Sequence, residues 1–194
     1  MAIEFQLQYE DMKPKTPLRA KKPLKAKTAI KVTKKPKKRL KLEEKTAQQM
    51  WKDVDKLWSR YIRLRDSQYK DGVWQGNCIT CDKSLLVRDA DGKWGRGAEN
   101  GHYITRGIFS LTFNEYNCNL QCSRCNAWLD KDEMIMRYRK ALDDKYGKGT
   151  QAELKALSLL PDARKRPPKA ELLQIMADCK EYITHCENNP EHYS

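Results

Sequence analysis

Four cysteines arranged as two matched pairs constrain the fold of this chain more than any other feature. The pairs are Cys78-Ile-Thr-Cys81 and Cys122-Ser-Arg-Cys125, and 40 residues separate them. A two-residue spacing lets both thiolates reach one ion from a tight turn, and two such turns complete a tetrahedral set of four sulfur ligands. The pattern therefore predicts a closed, structural Zn2+ site. The alternative is two unrelated pairs of buried thiols.

The chain carries no sign of secretion or of a membrane span. No run approaches the roughly 18 apolar residues that a bilayer span needs. The first twelve residues include acidic side chains and no long apolar segment. We therefore expect a cytoplasmic protein without a membrane partner. Its seven cysteines would then meet reducing conditions, which favour metal or thiol roles over disulfides.

Positive charge is concentrated near the N-terminus. The net charge is +13, and residues 13–41 contain 14 Lys or Arg and no acidic residue, so the remainder is close to neutral. We predict that residues 1–42 form a disordered basic arm, because its like charges repel one another and it contains four prolines and few apolar residues. Its natural partner is nucleic acid, because neutralised phosphates release counterions; a solubilising tail and a membrane-binding segment are the alternatives. The DNA-binding candidates in the arm are Lys34, Lys35, Lys37, Lys38 and Arg39.

Three segments follow the arm. Residues 43–72 show apolar residues at three- and four-residue steps, which predicts a long amphipathic helix whose Trp-bearing stripe is core. Residues 73–131 are rich in Gly and Cys and contain β-like runs at 84–87 and 108–113. Residues 132–194 are predicted to be helical. The predicted helices there cover residues 132–146, 151–160 and 168–186.

The 40 residues between the cysteine pairs contain groups suited to phosphodiester chemistry. His102 lies on a predicted strand, Asn117 on the return loop, and Asn126 directly after Cys125 where a helix would open. These three positions can converge. His102 could then act as general base on a water molecule. Asn126 could hold a hard cation such as Mg2+, which would neutralise the scissile phosphate and stabilise the departing oxygen.

This arrangement resembles the HNH pattern of the His-Me-finger, or ββα-metal, nucleases. The fuller string C-I-T-C … G-H-Y … F-N-E-Y-N-x3-Q-C-x2-C-N is similar to the NinG/Rap family of phage recombination endonucleases, and the similarity covers roughly residues 42–185. The resemblance implies an α+β fold in which helices flank a zinc-stapled HNH core. It also implies a Mg2+- or Mn2+-dependent endonuclease that cuts Holliday junctions and other branched DNA in the host cytoplasm.

The resemblance also suggests ligands for the catalytic cation. Many HNH nucleases place an acidic or His ligand just before the catalytic His, and here that position is Gly101. Glu99 is the nearest carboxylate and the expected substitute. Asp130, one helical turn after Asn126, is a further candidate.

Other residues near the predicted site receive simpler interpretations. Asn117 and Asn114 are expected to fix the loop through backbone hydrogen bonds rather than to touch metal. Cys118 is expected to be a small buried side chain. Arg106 and Arg124 could each clamp a phosphate or form a surface salt bridge.

Resolution of a four-way junction needs two opposed cuts, so the implied function predicts a homodimer. The helix over residues 43–72 is a candidate interface. Two alternative functions remain open. One is a non-catalytic, zinc-containing DNA-binding protein that assists recombination, and the other is an HNH nuclease for ordinary duplex DNA.

Overall fold

The computed structural model describes residues 41–42, 44–128 and 131–194. The predicted arm residues 1–40, with Lys34, Lys35, Lys37, Lys38 and Arg39, lie outside this part of the chain, and so does Asp130. The helices are α1 (Ala47–Arg65), α2 (Phe109–Thr112), α3 (Ser123–Ala127), α4 (Asp132–Tyr146), α5 (Thr150–Ser158) and α6 (Lys169–Asn188), with a 3-10 turn at Pro190–Tyr193. The strands are β1 (Gln68–Lys70), β2 (Val73–Asn77), β3 (Ser84–Arg88), β4 (Ala98–His102) and β5 (Cys118–Cys122). None of the helices in the described ranges is long and apolar enough to cross a membrane.

Helix α1 is shorter than the predicted helix over residues 43–72. It begins at a capping box, in which the Thr46 hydroxyl accepts from the Gln49 amide and the Gln49 side chain accepts from the Thr46 amide. Beyond its C-terminus, β1 and β2 form a hairpin through Asp71 and Gly72, which both have positive φ. Asp-Gly is a strong signal for such a two-residue turn, and here it overrides the helical continuation.

The apolar stripe of α1 is core, as expected. Met50, Val54, Trp58 and Ile62 are buried, and α1 packs along α6. Since this stripe is already covered within one chain, only the outward face of α1 is left for a dimer interface, which stays a prediction.

The described residues form two antiparallel sheets. Strands β1, β2 and β3 form one sheet in that order, and β4 pairs with β5 in the other, from Ala98 opposite Cys122 to His102 opposite Cys118. Strand β5 runs directly into α3. The chain is therefore of the α+β class, with a hairpin followed at once by a helix.

The β-like run predicted at residues 108–113 is wrong, because this segment forms α2. No strand lies beside it in the described residues. Instead, Ile108 and Leu111, three residues apart, bury one face of the turn against Tyr138 and Leu142 of α4. The C-terminal region is helical as predicted, in the three helices α4, α5 and α6.

Candidate metal centre

The four predicted zinc ligands come together. Cys78 follows β2, Cys122 ends β5 and Cys125 lies in α3, and the four Sγ atoms of the set all lie within 4.8 Å of one another. The Cys81 and Cys122 Sγ atoms are 3.9 Å apart. Tetrahedral Zn–S bonds of about 2.3 Å imply sulfur separations of about 3.8 Å, whereas a disulfide needs about 2.0 Å. The cluster therefore fits a structural metal such as Zn2+.

This cluster ties the three-stranded sheet to the hairpin and its helix. The Ile79 amide donates to the Leu120 carbonyl at 2.9 Å, and the Cys125 amide donates to Cys122 Sγ at 3.4 Å. The turn that follows β2 and the junction between β5 and α3 are thus held around the four sulfurs. A metal bound there would fix where α3 begins relative to β4.

The second feature of the site is a carboxylate and an amide in contact. Asn126 Nδ2 of α3 donates to Glu99 Oε2 of β4 at 2.6 Å, and the Ser123 hydroxyl donates to Glu99 Oε1 at 2.7 Å. A half-turn of the Asn126 amide would present its Oδ1 atom beside the carboxylate. Carboxylate and amide oxygens are the ligands that hard cations such as Mg2+ prefer, so this pair can hold one.

Ser123 was not singled out from the sequence, although a signal for it exists. It opens α3 directly after Cys122 and lies three residues before Asn126, so both side chains lie on one face of the helix. Gly101, the position directly before His102, lies against the side chain of Gln121. A Cβ atom added there would collide with it, so a larger residue would require Gln121 to move.

His102 does not face this pair. Pairing of β4 with β5 is unbroken from Ala98 to His102, and side chains alternate along a strand. Glu99 and His102 therefore leave opposite faces of the hairpin. The His102 ring is only 8% exposed, and its Nε2 atom lies 3.1 Å from the Thr112 carbonyl oxygen. The predicted convergence of His102 with Asn126 is not found.

The surroundings of His102 lower its pKa from 6.5 to about 4. Burial has the largest effect, and the nearby positive charge of Arg106 acts in the same direction. Backbone hydrogen bonds to Thr112 and Asn100 oppose the shift but do not cancel it. At neutral pH the imidazole is therefore uncharged.

This shift predicts acid sensitivity. In the unfolded chain His102 takes up a proton near pH 6.5, whereas in the folded chain it does so only near pH 4. Stability should therefore fall across that interval as the pH is lowered, by about 3 kcal/mol in total. Urea unfolding between pH 7 and 4 measures this for the wild type and for His102→Gln, whose side chain does not titrate. The variant should show a shallower loss, and parallel curves would contradict the shift.

Asn117 fixes the loop, as predicted. Its Oδ1 atom accepts from the Ile104 amide at 2.7 Å, while its Nδ2 atom donates to the Ile104 and Leu111 carbonyls at 3.0 and 2.8 Å. Asn114 Oδ1 accepts from the Asn117 amide at 3.0 Å. Cys118 is fully buried and donates to the Thr112 carbonyl, apart from the four-sulfur cluster.

The two flanking arginines lie at the surface. Arg106 Nη1 is 3.3 Å from Asp55 Oδ2, in an ion pair whose partners are both partly exposed. The guanidinium of Arg124 lies 5.3 Å from the centre of the Trp128 ring, a cation–π contact. These contacts agree with the surface alternative. Phosphate binding by either arginine stays a prediction.

A buried ion cluster at the end of α1 was not predicted. The Arg65 guanidinium forms two hydrogen bonds to the Asp66 carboxylate at 2.9 and 3.0 Å, and Lys145 donates to the same carboxylate at 2.7 Å. Asp66 also accepts from the Leu120 amide at 2.8 Å. Burial acts to raise the pKa of Asp66, but Arg65 and Lys145 outweigh it and hold that pKa below its usual range. The cluster fastens α1 and α4 to the middle of β5.

Comparisons with known proteins place this site in context. The chain matches the family model described as Bacteriophage Lambda NinG protein over residues 4–189. No curated protein and no solved structure matches the chain. The family match covers every described residue of the candidate metal centre.

Proposed function

The chain belongs to the NinG family, a phage recombination-related family, and from this premise we propose that it is a metal-dependent endonuclease for branched DNA. The contact between Glu99 and Asn126 is the observation that carries the proposal. It places a carboxylate and an amide, one from a strand and one from the following helix, where one cation can meet both.

The order of elements supports an HNH assignment. Strand β4, strand β5 and helix α3 follow one another as two antiparallel strands and a helix, which is the order in a ββα-metal core. The long connection between the strands carries α2 and is held by Asn117. The four-sulfur cluster joins β5 to α3. We infer that it acts as a structural zinc site and takes no part in catalysis.

The chain's own residues divide the work in this proposal. Glu99 and Asn126 hold the cation, and Ser123 keeps the Glu99 carboxylate directed towards Asn126. A bound Mg2+ or Mn2+ would supply charge neutralisation at the scissile phosphate and at the departing oxygen. His102 is proposed to take the proton from the attacking water, since its imidazole is uncharged at neutral pH. Burial lowers its pKa in the present position, so leaving that position would raise the pKa and make the ring a stronger base.

The base role makes one geometric demand. The His102 ring must leave the Thr112 carbonyl and reach the side of the hairpin on which Glu99 lies. His102 is the last residue of β4 and is paired with Cys118, so this end of the strand would have to open. Substrate binding would have to drive this rearrangement.

Branched DNA is proposed as the substrate on the basis of family resemblance. Two opposed cuts need two sites, so we propose a homodimer acting in the cytoplasm of the bacterial host. The basic arm would add DNA affinity that does not depend on base sequence. Duplex DNA as the main substrate is the alternative within the nuclease class.

A second candidate function rests on the position of His102. Because its ring is buried and faces away from Glu99, the chain could instead be a zinc-containing DNA-binding protein that assists recombination without cutting. In that case the Glu99–Asn126 contact would only join β4 to α3.

Cleavage assays separate these functions. Wild type, His102→Ala and His192→Ala are incubated with labelled four-way junction, linear duplex and single strand, in Mg2+ and in Mn2+. His192 is exposed and serves as the matched control. We expect preferential cutting of the junction, unchanged in His192→Ala. Loss of a general base should slow His102→Ala about 100-fold or more.

The other outcomes have separate meanings. Cutting by folded His102→Ala at the wild-type rate removes the base assignment but keeps the nuclease. Equal cutting of duplex and junction favours the ordinary duplex nuclease. Binding of DNA without cleavage in either metal favours the accessory protein. Metal content and thermal melting of each variant show that it is folded.

A further inference from the structure

Three arginines surround the indole ring of Trp94, and the chemistry proposed above does not use them. The guanidinium carbon of Arg63 lies 4.4 Å from the ring centre, and those of Arg60 and Arg88 each lie 5.6 Å from it. All three distances fall within the range of a cation–π contact. Three like charges are therefore gathered on one aromatic ring.

Only one of these arginines has a direct counterion among the described residues. Arg88 pairs with Glu187 at 2.7 Å. No carboxylate in the described part of the chain lies within ion-pair distance of Arg60 or Arg63. Burial and the charge of Arg60 lower the pKa of Arg63, and Glu99 opposes this only at longer range. The pair therefore presents positive charge that an anion would stabilise.

The arginine cluster borders the candidate metal centre. Arg63 Nη1 donates to the carbonyl of Ala98 at 3.3 Å, and Ala98 immediately precedes Glu99. The Ser123 amide donates to the carbonyl of Gly97 at 3.1 Å. The segment between Trp94 and β4 thus joins the arginine cluster to the start of α3.

We propose that Arg60, Arg63 and Trp94 form a binding site for a DNA phosphate next to the one that is cut. This inference rests on the proposed function for its substrate. The planar guanidinium group of the exposed Arg60 matches the geometry of a phosphate and can donate two parallel hydrogen bonds to it. Arg63 already donates through Nε and Nη1 to backbone carbonyls and would contribute its Nη2 atom. The indole ring holds both guanidinium groups in place without supplying a competing negative charge.

Neighbouring arginines of α1 have different partners. Arg65 is used in the buried ion cluster with Asp66. Arg63 points elsewhere, to Trp94. Structural and DNA-binding roles are thus divided between neighbouring arginines of α1.

Binding in EDTA tests the inference without cleavage. Fluorescence anisotropy compares the wild type, Arg60→Gln/Arg63→Gln and the control Arg137→Gln/Lys140→Gln on a labelled four-way junction and on duplex. The control removes the same charge from residues already ion-paired on the surface of α4. The test variant should bind both DNAs about tenfold more weakly. Its log–log salt slope should also fall by about one unit for each phosphate that the variant no longer binds.

Arg63 also donates to the Ser59 and Ala98 carbonyls, so its replacement could disturb the fold. Arg60→Gln alone, at an exposed position, therefore serves as the second variant and should weaken binding in the same direction. Binding by both folded variants at the level of the control would overturn the phosphate site, whether or not the wild type cuts DNA. If the wild type never cuts DNA but both variants bind DNA more weakly than the control does, the phosphate site is kept and the nuclease is rejected.

Discussion

Replacing Cys122 by serine should unfold the region around β4, β5 and α3 rather than slow its chemistry. Cys122 ends β5 and contributes one of four clustered sulfurs, so its replacement breaks a tetrahedral set. Structural zinc contributes about 10–16 kcal/mol of apparent free energy in small zinc-binding peptides. Whole domains are stable by only about 5–15 kcal/mol. The variant should therefore contain no zinc and show no cooperative melting transition near that of the wild type.

Cys179→Ser is the matched control. Cys179 is also buried, but it lies in α6, outside the four-sulfur cluster. The Cys179→Ser variant should keep one zinc per chain and lose about 1–3 kcal/mol of folding stability, because a hydroxyl replaces a buried thiol. Zinc content is measured by inductively coupled plasma mass spectrometry, and folding is measured by circular dichroism. A Cys122→Ser protein that stays folded with a full zinc content would show that another residue completes the site.

Glu99→Gln should abolish most metal-dependent cleavage while leaving the fold intact. Glutamine keeps the shape of Glu99 and can still hydrogen bond to Asn126 and Ser123, but it removes the negative charge that attracts a cation. Loss of the bound cation removes several kcal/mol of transition-state stabilisation, which corresponds to about a thousandfold in rate. Asn126→Ala should reduce cleavage in the same direction.

Glu133→Gln supplies the control for this pair of variants. Glu133 is exposed on α4, where it pairs with Arg137. Cleavage rates over a Mg2+ titration should be unchanged in the control, whereas Glu99→Gln should need more Mg2+ and reach a lower maximum. A folded Glu99→Gln protein that cuts at the wild-type rate would exclude Glu99 as a ligand of the catalytic cation.

The metal cluster was predictable because its information is local. A two-residue spacing fixes the reach of each cysteine pair, so Cys78, Cys81, Cys122 and Cys125 could be assigned without knowing the fold. The loop role of Asn117 followed in the same way from the ordinary behaviour of Asn beside a turn. The helices α4, α5 and α6 followed from periodic patterns bounded by Gly147, Pro161 and Pro168.

The direction of His102 depends on how far β4 extends. Glu99 and His102 are three residues apart, so they face opposite sides once both lie in one unbroken strand. The sequence did not show that β4 runs without a break or bulge from Ala98 to His102. The buried pair of Arg65 and Asp66 was not predictable either, because its further partners come from α4 and β5 and depend on tertiary structure.

The end of α1 shows a third kind of difference. The helix was predicted to reach residue 72, but it ends at Arg65, and Asp71 and Gly72 form a tight hairpin that pairs β1 with β2. The Asp-Gly step is a strong signal for such a two-residue turn. It was present in the sequence and could have indicated the hairpin.

The position of a divalent cation tests the central claim most directly. Crystals of the full chain grown with Mn2+ would show the ion by its anomalous scattering, apart from zinc at the four sulfurs. A manganese peak bound by the Glu99 carboxylate and the Asn126 amide oxygen is the result expected here. Manganese bound elsewhere in a protein that cuts DNA, with Glu99 and Asn126 still joined only to each other, would contradict it.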